Sequence, residues 1–357
     1  MTLVWFLLII SVLVFVHEFG HFIVAKRGGI KVIEFAFGFG PRLIKVQRGE
    51  TIYSVRALPL GGFCRFLSEH ELKADLEEGA ISQEDYEEQL PRSFERKSYG
   101  RRMGVITGGS VFNFVFGAIL FVLLFAVWGV QEGTGSNLVA GVVPDYPASQ
   151  AGIEAGDRIV MINGEDTPDW SALTALITAA QDHEALIRVE KPDGSVRDIS
   201  VTPKYDSVAK RAIIGINNEY VNKKVSPLEA MRLGAIQTVE FTKFLVATLV
   251  GMLTGQQSTE QLGGPIKLAE QIGQGAQQGA STLWGLTAVL SIQFGVINMF
   301  PIPAVDGGQV VVMTYERIRG KELKPEMKSL IQMVGLALLT LLMVGLLFKD
   351  IMGIFQA

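Results

Sequence analysis

Charge is almost absent from four long stretches of the chain, and their lengths predict membrane-spanning helices. Residues 3–25 hold one formal charge, Glu18, in 23 positions, and residues 103–130 hold none in 28. A third uncharged stretch lies between Glu270 and Asp306, is most apolar at 283–300, and predicts a span over about 283–305. A fourth run covers 329–348. At 1.5 Å per residue, about 20 apolar residues cover the roughly 30 Å hydrocarbon core. The first run reads as a retained helix, because the start Met1-Thr2-Leu3-Val4-Trp5 lacks the basic residue of a cleaved signal peptide. The run 244–254 is too short to cross and follows Glu240 and Lys243. It predicts an amphipathic helix lying on the membrane, inside an interfacial region at 205–282. The expected fold is a polytopic α-helical membrane protein of about four spans.

Between the spans the pattern changes. Residues 42–58 alternate in patches around Arg48-Gly49-Glu50, which predicts a membrane-associated β-hairpin in a loop at 26–102. Residues 69–95 are acidic and polar without apolar periodicity, and read as a solvated, mobile excursion. Residues 138–143 read as a strand, 172–180 as a helix, and 184–203 as a hairpin around Pro192-Asp193-Gly194. Together they predict a small α/β domain at 136–204, separating a first core half (1–130) from a second (283–357).

Basic residues near span ends set the expected sidedness. Lys26, Arg27 and Lys31 follow the first span, and Arg96, Lys97, Arg101 and Arg102 precede the second. Arg317, Arg319, Lys321, Lys324 and Lys328 lie between the third and fourth. These loops should face the cytoplasm, with both termini and the α/β domain outside.

Composition agrees with a membrane protein. Of 357 residues, 48% are apolar and 19% charged, and the net charge is −4. An average globular domain is about 25% charged. An acidic chain without a basic face is a poor nucleic-acid binder. The single cysteine, Cys64, excludes an intrachain disulfide and a paired-cysteine zinc site.

The candidate chemistry begins inside the first run. His17-Glu18-Phe19-Gly20-His21 places two imidazoles four residues apart on one helical face, where both can bind one Zn²⁺. Glu18 then stands where it can take a proton from water. A carboxylate within a span costs about 2.5–3.5 kcal/mol on insertion scales, so its default reading is functional. A catalytic zinc usually has a third protein ligand. His70, His183 and Cys64 lie outside the spans, and Asp306 is the better candidate, at the end of Asn298-Met299-Phe300-Pro301-Ile302-Pro303-Ala304-Val305-Asp306. Two prolines break the helix there, and irregular backbone at membrane depth lines cavities. On chemistry alone, a solvated cytoplasmic turn at Asp306 stays open.

Taken together, these motifs resemble the site-2 protease family of intramembrane zinc metalloproteases, and most closely its bacterial regulator-of-sigma-E protease branch. Further matches are Phe37-Gly38-Phe39-Gly40-Pro41, Leu58-Pro59-Leu60-Gly61-Gly62, Gly108-Gly109-Ser110 through Asn113, and Gly263-Gly264-Pro265-Ile266. The resemblance implies His17, His21 and Asp306 as zinc ligands, Glu18 as general base and Asn298 as a substrate-holding residue. It implies that Gly38, Phe39 and Gly40, with the hairpin, form a membrane-dipping β element that clamps an extended substrate by strand addition. Val305 stands where the family often has Leu, and Gly-Gly-Ser at 108–110 where Gly-Pro is common.

The α/β domain resembles a PDZ module at Pro147 to Ile153 and Gly156 to Gly164, one such module where many relatives have two. Its groove would take a peptide C-terminus. The expected activity is endoproteolysis of the transmembrane segments of single-pass proteins, for example an anti-sigma factor, in the bacterial inner membrane. A non-proteolytic adaptor acting through the PDZ module is the alternative, and it leaves Glu18 without a task.

Overall fold

In the computed structural model, residues 1–206, 210–258 and 263–356 are described. The first uncharged run forms α1 (Thr2–Arg27), closed by Lys26 and Arg27 in its last turn. Two long antiparallel strands follow, β1 (Val32–Arg48) and β2 (Thr51–Phe66), joined at Gly49. The hairpin is thus longer than 42–58 at both ends and takes in Gly38-Phe39-Gly40.

Both strands bend. Glu34 to Phe37 pairs with Ile52 to Val55 on one side and with Gly62 to Arg65 on the other, while Ile44 to Arg48 pairs with Thr51 to Val55. Two strands therefore make four short sheet segments, and Gly62–Arg65 is paired along one edge only. The bends fall where Gly38 (φ 87) and Gly40 (φ 84) adopt left-handed backbone, which a side chain would resist.

A buried carboxylate locks the folded hairpin. Glu34, 2% exposed, accepts hydrogen bonds from Arg42 (2.6 and 3.1 Å), Ser54 (2.7 Å) and Arg56 (2.8 Å). Burial alone would raise its pKa, but the bonds from Arg42, Ser54 and Arg56 outweigh it and hold the carboxyl at about 2.

The acidic segment at 69–95, read as a solvated, mobile excursion, is instead structured. It forms α2 (Glu69–Glu77), α3 (Gln83–Gln89) and a 3-10 turn at Leu90–Arg92. Ser68 caps α2, Ser82 and Asp85 make a capping box on α3, and Arg96 grips Glu69 at 2.6 and 2.7 Å. Helices this short need little apolar surface, and Leu72 is the buried anchor of α2, so no periodicity showed. The second run forms α4 (Tyr99–Trp128).

Residues Trp128–Val225 make a separate compact unit. In order it contains β3 (Val130–Gly133), β4 (Val139–Val142), α5 (Pro147–Gln150), β5 (Arg158–Ile162), β6 (Glu165–Asp166) and α6 (Trp170–Ala179). Then come β7 (Ala185–Glu190), β8 (Val196–Val201), β9 (Lys204–Asp206), β10 (Arg211–Ile213), β11 (Ile216–Asn218) and β12 (Tyr220–Lys223). A four-stranded sheet in the order β6-β5-β7-β8 carries Ile159, Ile162, Ile187 and Val189, packed with Leu173 and Ile177 of α6. The unit is wider than 136–204 because β4 pairs with β11 and β3 with β12, which ties its two ends together.

The remaining described elements are helices: α7 (Pro227–Leu253), α8 (Pro265–Gln278), α9 (Ala280–Met299), α10 (Asp306–Arg319) and α11 (Pro325–Gln356). Among the described residues five helices, not four, are long and apolar enough to cross a membrane, the fifth being α7. It begins at Pro227 rather than 244 because Ser226 caps it and its charges pair along the helix, Arg232 with Glu229 and Lys243 with Glu240. Asp350 of α11 accepts the N–H groups of Gly264 (2.9 Å), Ile266 (3.0 Å) and Lys267 (3.1 Å), capping α8. Ile272 of α8 packs in turn with Ile9 and Leu13 of α1.

Candidate metal centre

The helical period brings His17 and His21 onto one buried face of α1, 6% and 8% exposed, with Nε2 atoms 3.2 Å apart. Asp306 reaches them from another part of the chain. After Met299 the backbone leaves α9 through Pro301 and Pro303, Ala304 takes a left-handed φ of 79, and extended Val305 leads into α10. Asp306 opens α10 with Oδ2 3.2 Å from His17 Nε2 and 3.4 Å from His21 Nε2. Among the described residues this is the one cluster of three or more His, Cys, Asp or Glu side chains whose ligand atoms converge. Cys64, His70 and His183 lie outside it.

The donors and acceptors around the cluster fit a cation. His21 Nδ1 lies 2.8 Å from the Val105 carbonyl, which only accepts, so the ring proton sits on Nδ1 and Nε2 presents a lone pair. That lone pair faces Asp306 Oδ2, which is buried without a hydrogen-bond donor. Two acceptors face each other, which a positive ion between them relieves. Size agrees as well. Tetrahedral Zn²⁺ with bonds of about 2.0–2.1 Å sets neighbouring ligand atoms roughly 3.3 Å apart, and the three edges here are 3.2, 3.2 and 3.4 Å.

Sequence comparison decides the family. The model of peptidase family M50 matches residues 5–342. The chain belongs to peptidase family M50. A protein of Clostridium acetobutylicum is 32% identical over 345 residues, covering 97% of this chain and 96% of its own. The zinc metalloprotease RasP of Geobacillus kaustophilus is 29% identical over 418 residues, 99% of this chain and 98% of the relative. The regulator of sigma-W protease RasP of Bacillus subtilis is 29% identical over 422, with 99% of both chains covered. This M50 peptidase is accordingly a multi-pass membrane zinc metalloprotease of the site-2 type.

The other residues singled out from the M50 motifs take varied places. Glu18 is next to His17 in α1 and faces β2: its carboxyl interacts with the backbone of Cys64, and a Cβ at Gly62 would lie 3.4 Å from its Cγ. The partly unpaired segment Gly62–Arg65 thus runs beside Glu18. Asn298 does not join the cluster, and its amide donates to the Phe294 carbonyl one turn back in α9 at 3.0 Å. Phe39 stacks on Phe63 at 6.4 Å and is 47% exposed.

Two contributors, Phe294 and Val105, escaped sequence reasoning, and a third, Gly109, entered it only as part of a motif match. Phe294 packs edge-on against His17 at 5.3 Å. The Val105 carbonyl fixes His21, and Gly109 leaves room for both rings, since a Cβ there would lie 2.7 Å from His17 Cε1. The spacing of Val105 and Gly109 in α4 was a usable signal only once α4 was known to face α1.

Proposed function

We propose that this M50 peptidase cleaves transmembrane segments of single-pass membrane proteins, in regulated intramembrane proteolysis of the kind the name of the Bacillus relative suggests, for example of an anti-sigma factor. The observation that carries the reading is the convergence of His17, His21 and Asp306 with Glu18 beside them. His17 and His21 through Nε2, and Asp306 through Oδ2, would hold the zinc. When bound, zinc polarises the scissile carbonyl and acidifies water. Glu18 takes the attacking water's proton on a carboxylate oxygen and passes it to the leaving amide nitrogen.

A helix hides its carbonyls in its own hydrogen bonds, so the substrate must be extended first. Segment Gly62–Arg65 has an edge that no second strand pairs, next to Glu18, where a substrate would add as a strand, and Gly38, Phe39 and Gly40 shape the hairpin that presents it. Asn298 is half-buried at the end of α9 and would engage substrate after releasing Phe294.

Sidedness follows from charge. Four crossings, by α1, α4, α9 and α11, put every basic loop in the cytoplasm and both termini outside, in a bacterial inner membrane. A fifth crossing by α7 would move Arg317, Arg319, Lys321, Lys324 and Lys328 outside, so α7 is assigned to the outer interface. The unit Trp128–Val225 is assigned outside as a PDZ-like module; the groove between α6 and Arg211–Ile216, lined by Tyr146 and Leu173, suits a peptide C-terminus.

The test compares wild type with Glu18→Gln. The variant should retain zinc and lose cleavage of a single-pass substrate by 10²–10⁴-fold or more, the usual worth of a general base. Near-wild-type cleavage by the purified variant would overturn the reading.

A further inference from the structure

We propose that Asn113 is a positioning residue for the metal, its side-chain oxygen accepting the Nδ1 proton of His17. The inference rests on the reading of His17 as a zinc ligand.

Asn113 lies on α4, fully buried, at the third of three positions spaced by four: Val105, Gly109 and Asn113. Each does one thing to the imidazoles of α1. The Val105 carbonyl fixes His21, Gly109 makes space, and the amide group of Asn113 reaches within 3.3 Å of His17 Nδ1. One face of α4 therefore serves both rings.

The direction of the last hydrogen bond follows from the chemistry of imidazole. A neutral ring has one N–H and one lone pair. With the Nε2 lone pair given to zinc, the proton must sit on Nδ1, and Nδ1 then needs an acceptor. The Asn113 amide is the one group hydrogen-bonded to it among the described residues. Its oxygen is otherwise buried without a partner. It is the amide nitrogen that stands at 3.3 Å, and a half-turn about the last side-chain bond, which leaves the side chain's outline unchanged, exchanges it with the oxygen. The oxygen then faces Nδ1, in the role the Val105 carbonyl plays for His21. The backbone of Asn113 is held separately, since Ser291 donates to its carbonyl at 2.8 Å, so a side-chain change leaves the tie from α4 to α9 in place.

The test measures zinc affinity of the full-length detergent-solubilised protein by chelator competition, with Zn²⁺ alone as probe. Asn113→Leu keeps the branching at Cγ and removes the acceptor, and should weaken binding 10–100-fold, the usual effect of losing a ligand's orienting partner. Asn113→Asp keeps an oxygen at Nδ1 and should restore binding to wild-type strength or tighter. Cobalt substitution adds a second readout: the visible spectrum of the Leu variant should shift and that of the Asp variant should not. Wild-type affinity in Asn113→Leu would overturn the proposal. So would loss of zinc in Asn113→Asp when the apo-protein melts as wild type does, because the amide would then be acting as a donor. His17→Ala separates the two readings. If it keeps zinc, the ligand assignment fails, whereas loss there with full binding in Asn113→Leu sinks the role of Asn113 alone.

Discussion

Replacing Glu34 by Gln should loosen the hairpin in a way that depends on pH. The native carboxyl sits at about 2 against an ordinary 4.5, held by Arg42, Ser54 and Arg56. A depressed pKa means that the contribution is fully present above 4.5 and disappears as pH falls through 2. At 1.36 kcal/mol per unit, the shift corresponds to about 3 kcal/mol at neutral pH. By the same relation, roughly 1.4 kcal/mol remains at pH 3. These are upper bounds, because Gln keeps neutral hydrogen bonds to Ser54 and the two guanidinium groups, and Arg42 and Arg56 are partly exposed and stay hydrated. Hydrogen exchange of the Glu34–Phe37 amides in detergent reads the local opening. Exchange in Glu34→Gln should be faster than wild type by up to about 300-fold at pH 7 and about tenfold at pH 3, once intrinsic rates are divided out. An effect of equal size at both pH values would refute the argument, since it would mean that the charge contributes nothing.

Gly109→Ala should fold and lose zinc affinity by at least tenfold, because a Cβ 2.7 Å from His17 Cε1 displaces the ring by more than the ~0.2 Å a metal site tolerates; chelator competition measures it. With Cys64→Ser as background, a cysteine placed at the exposed Gly255 should react with an impermeant maleimide from outside. Labelling from the cytoplasmic side alone would show that α7 crosses. Replacing residues 130–223 by a Gly/Ser linker should increase cleavage of substrates with bulky extracytoplasmic domains if that unit filters by size. Lower cleavage of trimmed substrates would make it a recruiter.

Legibility varied with the kind of information each element needs. α1 and α4 were readable because an uncharged run of that length has few other uses, and His17, Glu18 and His21 because the period of a helix fixes their face. Asp306 could be named a candidate from its broken-helix setting, but its distance to His17 depends on how α9 and α10 pack. α2 and α3 were invisible, since α2 is held by its cap and by ion pairs at Glu69 and α3 by its capping box, rather than by an apolar stripe. α7 was misjudged in length because Glu240 and Lys243 looked like an end and are instead a surface pair within it. The four-segment hairpin was out of reach: its second register joins residues whose alternation is interrupted by Gly38 and Gly40.

The cap that Asp350 places on α8 also imposes an order of assembly. α1 carries two of the three side chains proposed to hold the metal and is among the first parts of the chain to be made, yet α8, which packs against it, has its leading N–H groups bonded to a residue of α11. A nascent chain that has not reached residue 350 lacks that cap, and one that has not reached Asp306 lacks the third ligand. On the proposed ligand set, a chain truncated before Asp350 should be a poor zinc binder even with His17, His21 and Asp306 intact.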